Sequence, residues 1–207
     1  MKNTRGFTLI EMVVVLAVVA ILAAILTPTI AKNINDAKVA RADNEAQVIA
    51  AAMASFFKDV GRWPTKQDAV STADYYYILY GDGNPMAAGA QSAVWSSDGG
   101  TWAGRKDEFA NHLARNTPGG AAAAANQYSI TGQLKWNGPY ITEISADPWG
   151  THYSCNVISF WYNAVYRDYA IFVLSAGPNR IANTLYNQSI TTTTPVLGED
   201  DIGYRIQ

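Results

Sequence analysis

The chain has 207 residues, of which 49% are hydrophobic and 15% are charged. This length and composition fit one folded domain plus a separate apolar segment, and they exclude disorder as the main state. The 15 Lys and Arg residues are balanced by 17 Asp and Glu residues, so a net charge of −2 gives no bulk attraction for nucleic acid. The single cysteine, Cys155, excludes an intrachain disulfide and the common cysteine-rich zinc sites.

An apolar segment runs from Phe7 to Leu26 and contains one acid, Glu11. As a helix it would span roughly 30 Å, which is the thickness of a bilayer's hydrocarbon core. Lys2 and Arg5 precede it without any acid, so the positive-inside rule places the N-terminus in the cytoplasm. We therefore expect one membrane-spanning helix followed by a large extracytoplasmic part.

A cleaved secretory signal peptide is the competing interpretation of this segment. It requires a shorter apolar region without an acid, followed by a small-x-small cleavage site, and residues 29–31 (Thr-Ile-Ala) match that site poorly. An ionised Glu11 at the bilayer centre would cost about 2.5–3.5 kcal/mol. A shallow position in the first helical turn would instead favour the acid by about 0.3–1 kcal/mol. Glu11 therefore needs either that shallow position or a partner.

Residues 6–11, Gly-Phe-Thr-Leu-Ile-Glu, stand between the short basic leader and the apolar helix. They resemble the class III signal of type IV pilins and of the pseudopilins of type II secretion. The resemblance implies that a prepilin peptidase removes residues 1–6 by cutting between Gly6 and Phe7, and methylates the new amine of Phe7. It also implies that Glu11 meets the N-terminal amine of a neighbouring subunit, since an amine and a carboxylate buried together neutralise each other.

Apolar residues continue beyond the membrane segment at spacings of three or four, which predicts an amphipathic helix up to residue 60. The sequence therefore predicts one long helix over about 7–59. Its transmembrane and assembly half is 7–27, and its amphipathic half lies within 28–60. Pro28 removes one backbone hydrogen-bond donor, so we expect a bend there, at a proline that the family shares.

Two further motifs extend the resemblance beyond the helix. Residues 61–65, Gly-Arg-Trp-Pro-Thr, resemble the segment that follows the long helix in major pseudopilins, and Gly61 also suits a helix C-cap. Residues 137–141 (Asn-Gly-Pro-Tyr-Ile) and 147–150 (Asp-Pro-Trp-Gly), with Tyr153 after them, resemble the motifs that introduce the sheet of the head. Asp, Pro and Gly at these spacings are also typical of a type I turn.

The predicted fold is α+β and pilin-like, with the long helix packed on a small antiparallel sheet. Aromatic and β-branched residues separated by polar turns predict three strands, at 153–157, 159–166 and 169–174. They lie in a C-terminal region, 137–207, that ends in an acidic loop. Region 61–136 shows little periodicity, so we expect a variable elaboration with loops and short helices, one of them at 105–115.

No arrangement of residues in the sequence is typical of a catalytic site. Ser175 lacks the first glycine of a nucleophile elbow, and the chain has no phosphate-binding glycine-rich loop. His112 and His152 are far apart and are expected to be ordinary polar residues. Cys155 is expected to be buried and inert. We therefore expect that the chain is not an enzyme.

The acidic run Glu199-Asp200-Asp201 is the one candidate ligand cluster. Adjacent carboxylates repel, so either solvent or a cation must surround them, and the residues alone favour solvent. The resemblance reverses that preference, because major pseudopilins bind calcium in a loop that follows the last strand and ends in Asp-x-Asp-Ile. Asp201 matches the last acid of that motif, Glu199 replaces the first, and Asn179 stands where the family has Asp. The implied calcium ligands are Asn179, Glu199, Asp200 and Asp201.

The function implied by the resemblance is mechanical. The chain would be a structural subunit of a helical pseudopilus that drives protein export in type II secretion, anchored once in the bacterial inner membrane with a periplasmic head. Implied partners are further copies of the chain, minor pseudopilins, the inner-membrane assembly platform and prepilin peptidase, with no nucleic acid. A type IV pilus for adhesion, motility or DNA uptake is the first alternative, and a membrane-anchored enzyme or binding module is the second.

Overall fold

The structure is a computed structural model that describes residues 6–65, 75–87, 89, 92–95, 105–120, 126–160, 168–191 and 196–206. The chain divides into two compact units, Met1–Ala40 and Arg41–Gln207. Residues 1–5, which form most of the predicted leader, lie outside the described part.

Helix α1 comprises Leu9–Val60 and confirms the predicted long helix, with each end within two residues of expectation. It continues without interruption through Pro28, which has no N–H to donate to the preceding turn. The hydroxyl of Thr27 donates to the carbonyl of Ala23 at 2.7 Å, a contact that often accompanies a bent helix. The bend at Pro28 stays a prediction.

In the first unit, the apolar side chains of α1 face outward. Its large apolar residues from Leu9 to Ile34 are 51–83% exposed. Within the described residues, α1 is the one helix long and apolar enough to cross a membrane, judged by length and composition. Water alone does not stabilise so large an apolar surface, so this half of the helix is consistent with single-pass membrane anchoring.

Helix α1 ends where the sequence predicts. Gly61 adopts a φ of +73°, and its N–H donates to the carbonyl of Phe57 at 2.8 Å. A left-handed residue is easily accommodated only as glycine, so Gly61 is the C-cap residue of α1.

In the described part of the second unit, the sheet has five strands in the order β2-β1-β3-β4-β5. They are β1 (Ile78–Tyr80), β2 (Lys106–Glu108), β3 (Ser154–Asn156), β4 (Phe172–Ser175) and β5 (Ile202–Arg205). The pairing of β1 with β2 is parallel, and the other pairings are antiparallel. Two short helices, α2 (Ser92–Trp95) and α3 (Phe109–Leu113), accompany the sheet, and this α+β architecture confirms the pilin-like fold. The sheet was expected to be antiparallel, but it is mixed, because β2 pairs in parallel with β1.

Several local predictions were wrong. The helix expected at 105–115 is present only over Phe109–Leu113. Residues 106–108 form β2 instead, because parallel pairing with β1 supplies backbone hydrogen bonds that local propensity does not reveal. Both β1 and β2 come from region 61–136, which therefore contributes to the sheet. The strand expected at 159–166 is replaced at its start by a 3₁₀ helix over Val157–Phe160. The remainder of that expected strand lies outside the described residues.

The sheet separates two apolar cores, because successive residues of a strand point to opposite faces. Leu79 and Val173 face the core that α1 covers, together with buried Cys155. Ile78 and Phe172 face a second core beneath loops and α2. The buried face of α1 in this unit consists of Ala42, Ala46, Ile49, Ala50, Ala52, Met53, Phe56 and Val60. Burial raises the pKa of the Cys155 thiol, as expected for an inert cysteine.

A buried polar network fixes region 61–136 to this core. The Asp107 carboxylate receives hydrogen bonds from the Asn111 amide at 2.6 Å and from the Gly119 N–H at 2.7 Å. His112, which is fully buried, has Nε2 2.9 Å from Asp107 Oδ2 and Nδ1 2.7 Å from the Tyr128 hydroxyl. The Tyr128 ring in turn packs edge-to-face on Phe56 of α1, with centroids 4.8 Å apart. The network therefore links β2, α3 and α1.

This network predicts a pH-dependent contribution to stability. Burial raises the pKa of Asp107, but His112, the Gly119 N–H and Asn111 outweigh burial and hold that pKa below its usual range. Ionised Asp107 therefore stabilises the fold above its ordinary pKa of 3.8, and this stabilisation is lost as the pH falls through the lower folded value. We expect Asp107→Asn to lower the free energy of unfolding by about 1.5–3 kcal/mol near neutral pH and by less at acid pH.

Urea unfolding of the detergent-solubilised chain, followed by tryptophan fluorescence, measures the free energy of unfolding of wild type and of Asp107→Asn. The measurement is repeated from neutral pH to below the ordinary Asp pKa of 3.8. Glu108→Gln is a matched control, because the neighbouring Glu108 side chain is 40% exposed and pairs with exposed Arg115. A difference between wild type and Asp107→Asn that stays constant with pH would contradict the assignment.

Candidate functional site

The predicted cleavage position lies in an accessible, non-helical segment just before α1. Phe7 is 82% exposed, and among the described residues other than its chain neighbours no atom lies within 4 Å of the position that a Cβ on Gly6 would occupy. Thr8 is the last residue before the helix begins at Leu9. The peptide bond between Gly6 and Phe7 therefore joins two exposed residues.

Glu11 closes a capping box with Thr8. The N–H and the hydroxyl of Thr8 donate to Glu11 Oε2 at 2.8 and 2.7 Å, and the N–H of Glu11 donates to the Thr8 hydroxyl at 3.3 Å. This role of Thr8 was not predicted from the sequence, although Thr-x-x-Glu ahead of an apolar run is the known signal of a capping box. Because these donors are neutral, they orient the carboxylate without neutralising its charge.

Asp147 organises the Asp-Pro-Trp-Gly turn. The N–H of Gly150 donates to the Asp147 carbonyl at 2.9 Å, which confirms the predicted turn. The buried carboxylate also accepts from the N–H groups of Trp149 and Thr151, from the Thr151 hydroxyl, and from the Ser175 hydroxyl at 2.6 Å. Ser175 therefore connects the end of β4 to this turn, and all four donors leave the Asp147 charge well hydrogen-bonded.

The predicted calcium ligands lie in the long connection between β4 and β5. Asn179 donates to Asp200 twice, from its amide Nδ2 at 2.5 Å and from its backbone N–H at 2.9 Å. Glu199 is held separately, by the Asn183 amide at 2.9 Å. The structure thus brings Asn179 and Asp200 into direct contact and pairs Glu199 with a residue that the sequence did not indicate.

Asp201 is the most constrained member of the acidic run and is 6% exposed. Its Oδ2 accepts hydrogen bonds from the N–H groups of Asn183 and Thr184 and from the Thr184 hydroxyl, at 2.9, 2.6 and 2.5 Å. Its Oδ1 is buried and has no hydrogen-bond partner among the residues that the structure describes. Burial raises the pKa of Asp201 despite those donors. An orphaned buried carboxylate oxygen of this kind suits a hard cation, which favours oxygen ligands.

The start of this connection packs against the acidic run. Gly177 has a φ of +62°, and a Cβ there would lie 2.1 Å from the Asp200 carbonyl oxygen. Only glycine permits that approach. Within the described residues, no group of three or more His, Cys, Asp or Glu side chains is arranged to hold a metal ion. Any cation at Asp201 would therefore need backbone carbonyl, amide or water oxygens as further ligands.

Comparison with known proteins supports the N-terminal assignment. Residues 1–27 match the family described as Prokaryotic N-terminal methylation motif. The chain is 33% identical over 98 residues to the Type II secretion system core protein G of Pseudomonas aeruginosa, which covers 47% of this chain and 63% of that protein. It is 35% identical over 69 residues to the Fimbrial protein EcpC of Eikenella corrodens, covering 33% of this chain and 45% of that protein.

The chain thus spans less than two thirds of either relative. No solved structure is significantly similar to it. The resemblance to pilins and pseudopilins, inferred from residues 6–11, is confirmed by the family match and by both relatives.

Proposed function

We propose that this chain is a structural, non-enzymatic subunit of a helical pseudopilus that drives protein export by type II secretion. One observation carries the proposal: the accessible Gly6–Phe7 bond stands directly before a 52-residue helix whose N-terminal half exposes apolar side chains. A monomer in water cannot tolerate that surface, whereas lipid before assembly and other copies after assembly can cover it. The similarity to core protein G supports type II secretion as the system.

Removal of residues 1–6 would create a positively charged amine on Phe7, one residue before the Thr8 cap. A cation at a helix N-terminus is unfavourable, so the new amine gains from a carboxylate close by. The Glu11 carboxylate is oriented but not neutralised by its own Thr8. Pairing of Glu11 with the Phe7 amine of a neighbouring copy would satisfy both charges within the apolar bundle.

The proposal places the N-terminus in the cytoplasm and the second unit in the periplasm, because the basic leader precedes a single span. Prepilin peptidase would process the chain, and the inner-membrane assembly platform and minor pseudopilins would build the filament with it.

A type IV pilus subunit is the second candidate, and the similarity to a fimbrial protein favours it. Long filaments visible on the cell surface would select the pilus over the pseudopilus.

We also propose that the acidic run holds calcium. The orphaned Oδ1 of Asp201 supports this, since a cation there would offset the cost of a buried acceptor without a donor. Asp200, Glu199 and the Asn179 amide oxygen are the further side-chain candidates, and six to eight oxygens would be completed by the backbone and water. The bound ion would neutralise charge and tie the β4–β5 connection to the head.

The first prediction of this proposal concerns processing. Co-expression with a prepilin peptidase is expected to yield a chain that begins at N-methylated Phe7, as determined by intact-mass and N-terminal peptide mass spectrometry. Gly6→Val should block the cut without disturbing the fold, because no atom lies near a Cβ at that position. Cleavage near Ala31 would instead show a secretory signal peptide and refute the proposal.

The second prediction separates the charge of Glu11 from its capping role. Glu11→Gln retains a capping side chain but loses the charge, whereas Thr8→Ala loses the cap but keeps the charge. We expect Glu11→Gln to insert normally and to reduce filament yield by about tenfold or more, equivalent to about 1.4 kcal/mol. Thr8→Ala should assemble nearly as wild type. Yield is measured by sedimentation of sheared filaments at matched expression and matched processing. If Glu11→Gln assembles as well as wild type, the charge of Glu11 has no role in assembly and the residue acts only as a helix cap.

The third prediction concerns calcium. A ligand that binds only the folded state at a hundredfold excess over Kd adds about 2.7 kcal/mol of stability. For a chain of this size we expect the melting temperature of the detergent-solubilised protein to rise by roughly 5–10 °C with calcium. Magnesium should give a smaller shift, because it demands stricter octahedral geometry.

Asp201→Asn should abolish the calcium shift, since it replaces the orphaned oxygen. Asp82→Asn, at an exposed aspartate elsewhere in the second unit, is the matched control and should keep it. If wild type melts at the same temperature in calcium and in chelator, the acidic run is solvated and not a metal site.

A further inference from the structure

An uncharged groove lies on the second unit between α1 and β5, the end strand of the sheet. Its volume is about 540 Å³, and its lining includes Asn44, Val48, Ala51, Ala54, Tyr204 and Ile206. Val48 is 56% exposed and Tyr204 is 43% exposed. The alanines keep the α1 side shallow, and no described residue that lines the groove is charged. The groove therefore suits an uncharged apolar occupant.

A projecting loop of the same unit has matching chemistry. Residues 129–134, Ser-Ile-Thr-Gly-Gln-Leu, carry no charge, and the loop exposes 66% of Ile130 and 59% of Leu134. Its base is fixed, because the N–H of Trp136 donates to the Ser129 carbonyl at 2.7 Å and the Trp136 indole donates to the His112 carbonyl at 2.9 Å. The loop therefore presents two exposed apolar side chains on a fixed base.

The loop is tied too far along α1 to fill the groove of its own chain. The N–H of Lys135 donates to the carbonyl of Asp59 at 3.0 Å, and Leu134 lies against Gly61 at the end of the helix. The groove is centred near Ala51, roughly 15 Å earlier along the axis at 1.5 Å per residue. Only another molecule can bring an equivalent loop to the groove.

We infer that Ile130 and Leu134 of one copy insert into the α1–β5 groove of a second copy. Both surfaces are uncharged in a chain with 15 basic and 17 acidic residues, so neither buries an unpaired charge on contact. Loop and groove are different patches, so the contact is heterologous, and repeated contacts of this kind build an open helix when the rotation does not close. The inference rests on the proposed filament function and names its head-to-head contact.

The first test uses the full-length chain, co-expressed with prepilin peptidase, and measures filament yield by sedimentation. Leu134→Asp places a charge into the groove, and Ala51→Asp places one on its wall; each should lower the yield by about tenfold or more. Both side chains are exposed, so the melting temperature of the solubilised subunit should fall by no more than about 2–4 °C. Ala87→Asp, at an exposed alanine outside the groove, should assemble as wild type.

The second test is oxidative cross-linking of assembled filaments. In a chain carrying Leu134→Cys and Ala51→Cys, two thiols from neighbouring copies each lose a hydrogen to the added copper–phenanthroline oxidant and form one disulfide. A ladder of multiples of the subunit mass is expected, and each single variant should give none. The native Cys155 is fully buried and does not contribute. Leu134→Cys with Ala87→Cys is the matched pair that should stay uncross-linked.

Normal assembly of Leu134→Asp, or filaments of the double-cysteine chain without a ladder, would overturn the inference while leaving the filament function intact. An adduct of any other mass would show a different partner in the groove and would also overturn it. A correctly processed wild-type chain that never assembles would refute the proposed function and this contact together.

Discussion

The packing of α1 against the sheet is the contact on which the rest of the second unit depends. Phe56 lies at its centre, with the Tyr128 ring 4.8 Å and the Tyr140 ring 5.5 Å away, both edge-to-face. Small residues elsewhere on the buried face, such as Ala42 and Ala46, let the helix approach closely. Aromatic pairs of this geometry add about 0.5–1.5 kcal/mol beyond their buried area. The helix that would anchor the subunit is thus also the main element of its head.

Three buried carboxylates organise the connections around that core. Asp107 holds region 61–136 through His112, and Asp147 joins its turn to β4 through Ser175. Asp201 holds the end of the β4–β5 connection through Thr184. The first two are hydrogen-bonded at both oxygens, whereas one oxygen of Asp201 receives no hydrogen bond from the described part of the chain. Because an unsatisfied buried acceptor is costly, the third position is the one where an added cation would be most favourable.

The two units differ in how charge is distributed on the surfaces that could meet another molecule. In the first unit, Glu11 stands at the start of the exposed apolar part of α1, and neutral donors orient its carboxylate. In the second unit two uncharged surfaces, the loop with Ile130 and Leu134 and the α1–β5 groove, stand among many charged residues. An unneutralised charge and an uncovered apolar patch both favour association with another molecule. Assembly through both would cover the apolar surfaces and neutralise the acid.

The sequence by itself determined the features that depend on neighbouring residues. The periodicity of the apolar residues predicts the long helix, and Gly61 predicts where it ends. Residues 147–150 predict the turn, and residues 6–11 form the processing motif. The tertiary structure decided the features that need a partner distant in the chain, namely strand pairing and the hydrogen bonding of buried carboxylates. Strand β2 exists because β1 pairs with it, and the Asp201 carboxylate is fixed by hydrogen bonds from Asn183 and Thr184. Helix periodicity and turn geometry are local, whereas strand pairing and the hydrogen-bonding of buried charges are set by contacts that only the folded chain brings together.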